Sequence, residues 1–193
     1  DCLLSRGLGD VYKRQEGDCI MGNFSPTKKT EAALQFAVNL ANQRTHEYVT
    51  CSHIMIGILD DPNGFTSTVL NELDISPDDI FAEAQQIIQK FERKEVQEPN
   101  FDKNANIAIE NSITIAEAFG DEYISAEILF AGIVRGDSDI SQVIRQKGVN
   151  YRDIRSTIEK LRAGNKVTTK EPESTFQALE KYSEDLTKKA AEG

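Results

Sequence analysis

Apolar positions along this chain recur three and four residues apart, and nowhere do they alternate with period two over a strand's length. Residues 28–43 place Ala33, Leu34, Ala37, Val38, Leu40 and Ala41 on one face and predict an amphipathic helix. A nearly all-apolar run to Leu59 follows, opened by a hydroxyl cap at Thr50 or Ser52, and marks a short helix buried on every side. Asp60-Asp61-Pro62-Asn63-Gly64 is a turn by composition, after which Phe65, Val69, Leu70 and Leu73 mark a third helix. Ser76-Pro77-Asp78-Asp79 opens a fourth: Ser caps, Pro takes the first helical position, and two carboxylates face the positive end of the dipole. Ile80, Ala84, Ile87, Ile88 and Phe91 continue it at helical spacing.

The polar stretch 89–100 joins this half to a second with the same plan. Ala108, Ile109, Ser112, Ile113, Ala116 and Phe119 supply its first helical face. A buried helix follows the Ser125 cap, and Ile140, Val143 and Ile144 mark a third after the turn Gly136-Asp137-Ser138-Asp139. Asn150 caps the last, which runs through Ile154, Ile158 and Leu161.

The two halves carry one motif twice. His46-Glu47-Tyr48-Val49-Thr50-Cys51-Ser52-His53-Ile54-Met55-Ile56-Gly57-Ile58-Leu59 recurs 75 residues later as Asp121-Glu122-Tyr123-Ile124-Ser125-Ala126-Glu127-Ile128-Leu129-Phe130-Ala131-Gly132-Ile133-Val134. A repeat at that spacing is a duplicated structural unit. Gly57 and Gly132 each cost a helix roughly 0.5–1 kcal/mol relative to Ala, and close packing against a neighbouring helix is the expected return.

Glu-Tyr followed by an apolar helix with a late Gly, present twice, resembles the tandem Clp repeat of the Clp amino-terminal domain. That domain heads the AAA+ unfoldases of the ClpC and ClpB branches. The resemblance runs over 24–162, with one repeat at 24–91 and the other at 101–162. It implies an all-α fold: two four-helix repeats in one eight-helix domain, followed by a linker and a C-terminal helix. The family pattern commonly reads Gly-Thr-Glu-His before the apolar helix. Here the matching positions are Thr50-Cys51-Ser52-His53 and Ser125-Ala126-Glu127-Ile128. In the protease-partner branch the Glu of that pattern is associated with phosphoarginine, which places the implied peptide or phosphoarginine sites at Glu127 and, without the charge, at Ser52. One strong site at most is therefore expected, in the second repeat.

The ends of the chain lie outside the repeats. Residues 1–20 have no apolar period, and Asp10-Val11-Tyr12-Lys13-Arg14-Gln15 resembles the translation of a transposon-end sequencing adapter. A native start at Met21 is expected, with 1–23 a non-native or disordered leader. Residues 163–173 have the composition of a flexible linker. Ser174-Thr175-Phe176-Gln177 then fits a capping box, with Phe176, Leu179, Tyr182 and Leu186 as a sparse stripe resembling the approach to a first AAA+ module.

Composition narrows the function. The 193 residues carry a net charge of −10, which argues against nucleic acid and against anionic membrane as partners. Three Cys at unrelated spacings form no disulfide framework and point to a reducing, cytoplasmic setting. No G-x-x-x-x-G-K-[ST] occurs, so no phosphate loop for ATP is present.

The candidate chemical groups read as structural. His46, Cys51 and His53 are replaced by Asp121, Ala126 and Ile128 in the second half, which disfavours zinc in favour of cap and packing roles. Cys51 lacks an identifiable base or oxyanion loop. Each motif Tyr is expected to pack, with its Glu supporting the following turn. Asp137-Ser138-Asp139 opens like a calcium loop but has Gln142 and Gly148 where Gly and Glu belong, so it reads as a turn and cap.

These residues describe a two-repeat helical binding module without a catalytic constellation, with pockets expected between the halves. The resemblance implies the domain of a Clp unfoldase that receives unfolded or tagged substrates and adaptor proteins. ATP, magnesium and a Clp peptidase then belong to the full-length hexamer, and no cofactor to this stretch. A free-standing Clp-repeat binding or regulatory protein is the alternative, and a helical hydrolase the more remote one.

Overall fold

In each half a cap-and-stripe pattern produces four helices, seen in the computed structural model, which describes residues 25–172. The first half has α1 (Lys28–Gln43), β1 (Tyr48–Val49), α2 (Cys51–Leu59), α3 (Phe65–Glu72) and α4 (Pro77–Gln89). The second has β2 (Asn100–Phe101), α5 (Lys103–Phe119), α6 (Ala126–Arg135), α7 (Asp139–Gln146) and α8 (Tyr151–Arg162). The expected leader and the helix after Ser174 lie outside the described residues.

Side-chain caps set the helix starts. Thr27, Ser76, Asp102, Ser138 and Asn150 accept from first-turn backbone N–H groups of α1, α4, α5, α7 and α8. Thr50 is the N-cap of α2, and the His53 ring reaches back to its N–H. Ser125 stands at the N-cap of α6.

α2 and α6 are the centre of the molecule. Every residue of α2 is buried, as is α6 from Glu127 to Val134. Their glycines let one neighbouring helix come into backbone contact. A Cβ on Gly57 would run into the carbonyl oxygen of Ala33 on α1, and one on Gly132 into that of Ala108 on α5. The neighbouring helix that comes close, which sequence left unnamed, is α1 for α2 and α5 for α6.

The halves are interlocked. Val49 pairs in parallel with Phe101, and Pro26 pairs in parallel with Ile124. Each motif thus pairs with the chain leading into the other half's first helix, 75 residues apart on both sides. Among the described residues these short pairings are the only extended structure, and the fold is all-α otherwise. α4 packs on α7, and α3 packs on both α6 and α8.

Segment 163–172, whose composition reads as flexible linker, is seated on the domain. Val167 is fully buried, its carbonyl accepts from the N–H groups of Glu122 and Tyr123, and the Lys170 carbonyl accepts from the Lys28 N–H. Polar composition hid it, because few apolar side chains, Val167 and Pro172, and mostly polar contacts hold it.

Candidate functional site

The two motif copies build two different sites from equivalent positions. In the first half the motif opens onto a cavity of about 420 Å³ at the junction of the halves. Motif residues of 46–52 other than Val49 line one wall, Lys90, Phe91, Glu92 and Lys94 another, and Asp102, Asn104, Ser138 and Asp139 of the second half the third. The starts of α2, α5 and α7 all face it. Ser52, the implied weak site, lies in this wall and is almost fully buried.

Electrostatics in the cavity is mixed. Glu47 pairs with Lys94 at 2.6 Å. Burial raises the Asp102 carboxyl above its ordinary range, against the pull of its cap hydrogen bonds, and the neighbouring Asp139 adds to the rise. Tyr48 stands 46% exposed, the one large apolar side chain so exposed among the described residues. That corrects the expectation that each motif Tyr packs: Tyr123 is partly buried, where segment 163–172 covers the second copy, while Tyr48 has no such cover.

The histidines have packing and cap roles. His53 Nδ1 accepts the Thr50 N–H at 3.1 Å, so its Nε2 donates to His46 Nδ1 at 2.9 Å. Both rings meet Phe91, with centroids 5.6 and 6.0 Å away. Burial, with the His46 charge adding to it, pushes His53 down to about 4. Burial also lowers His46, with Arg44 and Arg93 contributing. Cys51 is buried beside Ser138 and its thiol is pushed up to about 12, which leaves no thiolate for nucleophilic attack at neutral pH.

The second-half motif borders a smaller cavity of about 260 Å³, where Ala126 and Glu127 meet Lys29 and Gly64. The positions of His46, Thr50 and Ser52 are taken by Asp121, Ser125 and Glu127, and these surround the guanidinium of Arg162. Arg162 Nη1 donates to Asp121 Oδ2 at 2.6 Å, and Nη2 donates to Glu127 Oε1 at 2.6 Å and to Ser125 Oγ at 2.8 Å. Its Nε donates to Glu127 Oε1 at 3.2 Å, and the Phe119 ring lies 5.3 Å from Cζ. The side chains are closed from solvent: Arg162 is 2% exposed, Asp121 0% and Glu127 5%.

Glu127 and Ser52 are thus not brought together, and Glu127 is already paired. Arg162 was the residue that sequence reasoning missed. A readable signal existed, because Arg162 follows Ile154 and Ile158 at four-residue steps on the buried stripe of α8.

Comparison with known proteins agrees with this architecture. Residues 25–147 match the Clp repeat (R) N-terminal domain. Over 176 residues, 90% of this chain, the sequence is 39% identical to chaperone protein ClpB of Corynebacterium efficiens, and over 175 residues it is 31% identical to that of Mycobacterium tuberculosis. The chain spans about a fifth of the length of these relatives, 21% in both cases. Among solved structures, the Hsp104 N-terminal domain from Candida albicans superposes with a TM-score of 0.67 at 14% identity, covering 76% of this chain and 97% of that one. A ClpV N-domain in complex with a VipB peptide gives 0.59 at 18% identity, covering 73% and 89%. Matched over 25–147, well over half of its length, the chain belongs to the Clp repeat N-terminal domain family.

Proposed function

We propose that this chain is the client- and adaptor-receiving N-terminal domain of a ClpB-type chaperone in cytoplasmic protein quality control. The ATP- and magnesium-dependent modules of that chaperone are assigned to the rest of the parent protein. The observation that carries the reading is the 39% identity to a ClpB chaperone over 90% of the chain. The open cavity at the junction of the halves, with exposed Tyr48 on its rim, supports a binding role. A domain of this fold in ClpV takes a VipB peptide, which is in line with protein partners here. Identity to ClpB chaperones also favours this reading over a free-standing regulator.

The binding test is fluorescence anisotropy of a labelled client that stays unfolded, such as reduced and alkylated α-lactalbumin. The whole chain is expected to bind it and Tyr48→Asp to weaken binding several-fold; equal affinities would remove the cavity from the reading. Calorimetry should show no ATP binding to these 193 residues, whose sequence lacks a phosphate loop. Stoichiometric ATP binding would overturn the division of labour. For phosphoarginine, the family resemblance points to Glu127, whose Oε1 accepts from Arg162.

A further inference from the structure

The second-half motif holds two carboxylates closed from solvent around one guanidinium. Removing the cation would leave both charges buried and unpaired, a state that proteins avoid strongly. The acceptor geometry also selects the cation. Three acceptor side chains meet all three nitrogens of a planar fork, and Phe119 offers a ring within cation–π range of its carbon. An ammonium is a compact point charge and cannot span the same acceptors.

Arg162 is also the junction between α8 and the seated segment 163–172. Immediately after it Ala163 and Gly164 are both left-handed, with φ of 47° and 85°, so the chain reverses there. Asp121 works on both sides of that reversal: Oδ2 accepts from Arg162, and Oδ1 accepts the Val167 N–H at 2.8 Å. The same carboxylate thereby holds the guanidinium in its pocket and Val167 in its place. In the first half, His46, Thr50 and Ser52 stand at these positions, and among the described residues no guanidinium is bonded to them. The two copies therefore differ in occupancy as well as in sequence.

We propose that Asp121, Ser125 and Glu127 form a guanidinium-binding site that the chain fills with its own Arg162, latching segment 163–172 onto the domain. An arginine side chain of another protein then enters only by exchange with Arg162, which unseats Val167. The self-occupied site stands on the geometry alone; the exchange with a partner rests on the client-receiving function proposed above.

The test uses the whole chain, the variant Arg162→Ala, and guanidinium chloride at sub-denaturing concentration as the probe. Arg162→Ala is expected to lower the thermal midpoint by roughly 10 °C. Guanidinium should restore several degrees of that loss in the variant and none in the parent, whereas methylammonium at equal ionic strength should restore nothing. Hydrogen exchange at the Val167 and Glu122 amides should be faster in the variant and stay faster with guanidinium, because the added cation is not joined to residue 163. No guanidinium-specific rise, including failure to fold a variant that is unfolded without it, would overturn the site. Arg162→Lys provides the independent check on the latch: it keeps the charge and the fold, and exchange at Val167 should still quicken. Unchanged exchange there would overturn the latch. An unstructured arginine-containing peptide should bind Arg162→Ala at least about tenfold more tightly than the parent. Equal affinity would overturn the exchange alone, since client binding is read separately through Tyr48.

Discussion

His53 shows how one substitution between the repeats changes what a position does. Its second-half counterpart is Ile128, an ordinary core residue, whereas His53 closes the start of α2 and donates to His46. Being buried, it stays neutral in the fold with a pKa near 4, against 6.5 for an ordinary His. The unfolded chain therefore binds the extra proton first. The stability due to neutral His53 is complete above about pH 6.5 and is lost progressively as pH falls toward 4. At pH 5 that loss is about 2 kcal/mol. Urea unfolding at pH 7 and pH 5 should show a stability drop smaller by about that amount in His53→Ile, and an identical drop in both proteins would contradict the assignment. Cys51 makes a second residue-scale expectation. Peptide mass spectrometry after iodoacetamide treatment should find it unmodified in the native protein and alkylated once unfolded, because its thiol is buried and held protonated.

The centre of each half is a helix whose glycine lets a neighbour's backbone touch it. Gly132→Ala would ordinarily favour α6 by up to about 1 kcal/mol through helix propensity. Here the added methyl meets the Ala108 carbonyl and the Ser112 backbone, neither of which is a movable side-chain end. The clash should prevail, with a net loss on the order of 1–3 kcal/mol read from the denaturant midpoint. Gly57→Ala should behave alike against Ala33. Gly148→Ala separates space from backbone strain, since nothing lies within 4 Å of its Cβ position while its φ is 86°. It should cost about 1 kcal/mol. A Gly132 variant as stable as the parent would mean that α5 and α6 are not in backbone contact.

At the scale of the molecule, neither half is complete. Val49 pairs with Phe101 and Ile124 with Pro26, so each motif takes its extended partner from the other half. α3 and α4 bury faces on helices of the second half. Heat should therefore unfold the chain in one transition, with equal calorimetric and van't Hoff enthalpies. A fragment ending at residue 99 should lack a cooperative transition by circular dichroism, and two separate transitions in the whole chain would refute the interlock. Deleting residues 1–20, which carry no apolar period, should leave the midpoint unchanged, and a drop of several degrees would show that they contribute to stability.

The sequence by itself determined the local structure and the duplication. Period, cap residues such as Ser76 and Asn150, and the late glycines act within a few residues, so all eight helices of the described domain and a close approach at each late glycine were legible from it, though not which helix comes close. Tertiary structure decided everything that joins distant positions. Tyr48 and Tyr123 stand at equivalent motif positions, each after a Glu, yet only Tyr123 lies under segment 163–172, which arrives from some 44 residues away. Glu127 reads as a vacant carboxylate until α8 brings Arg162 to it across 35 residues. The polar segment 163–172 reads as linker because two buried apolar residues, Val167 and Pro172, and hydrogen bonds made mostly by its backbone leave almost no compositional trace. Local free energies are written in neighbouring residues, whereas the pairing of buried charges depends on which surfaces the whole chain brings together.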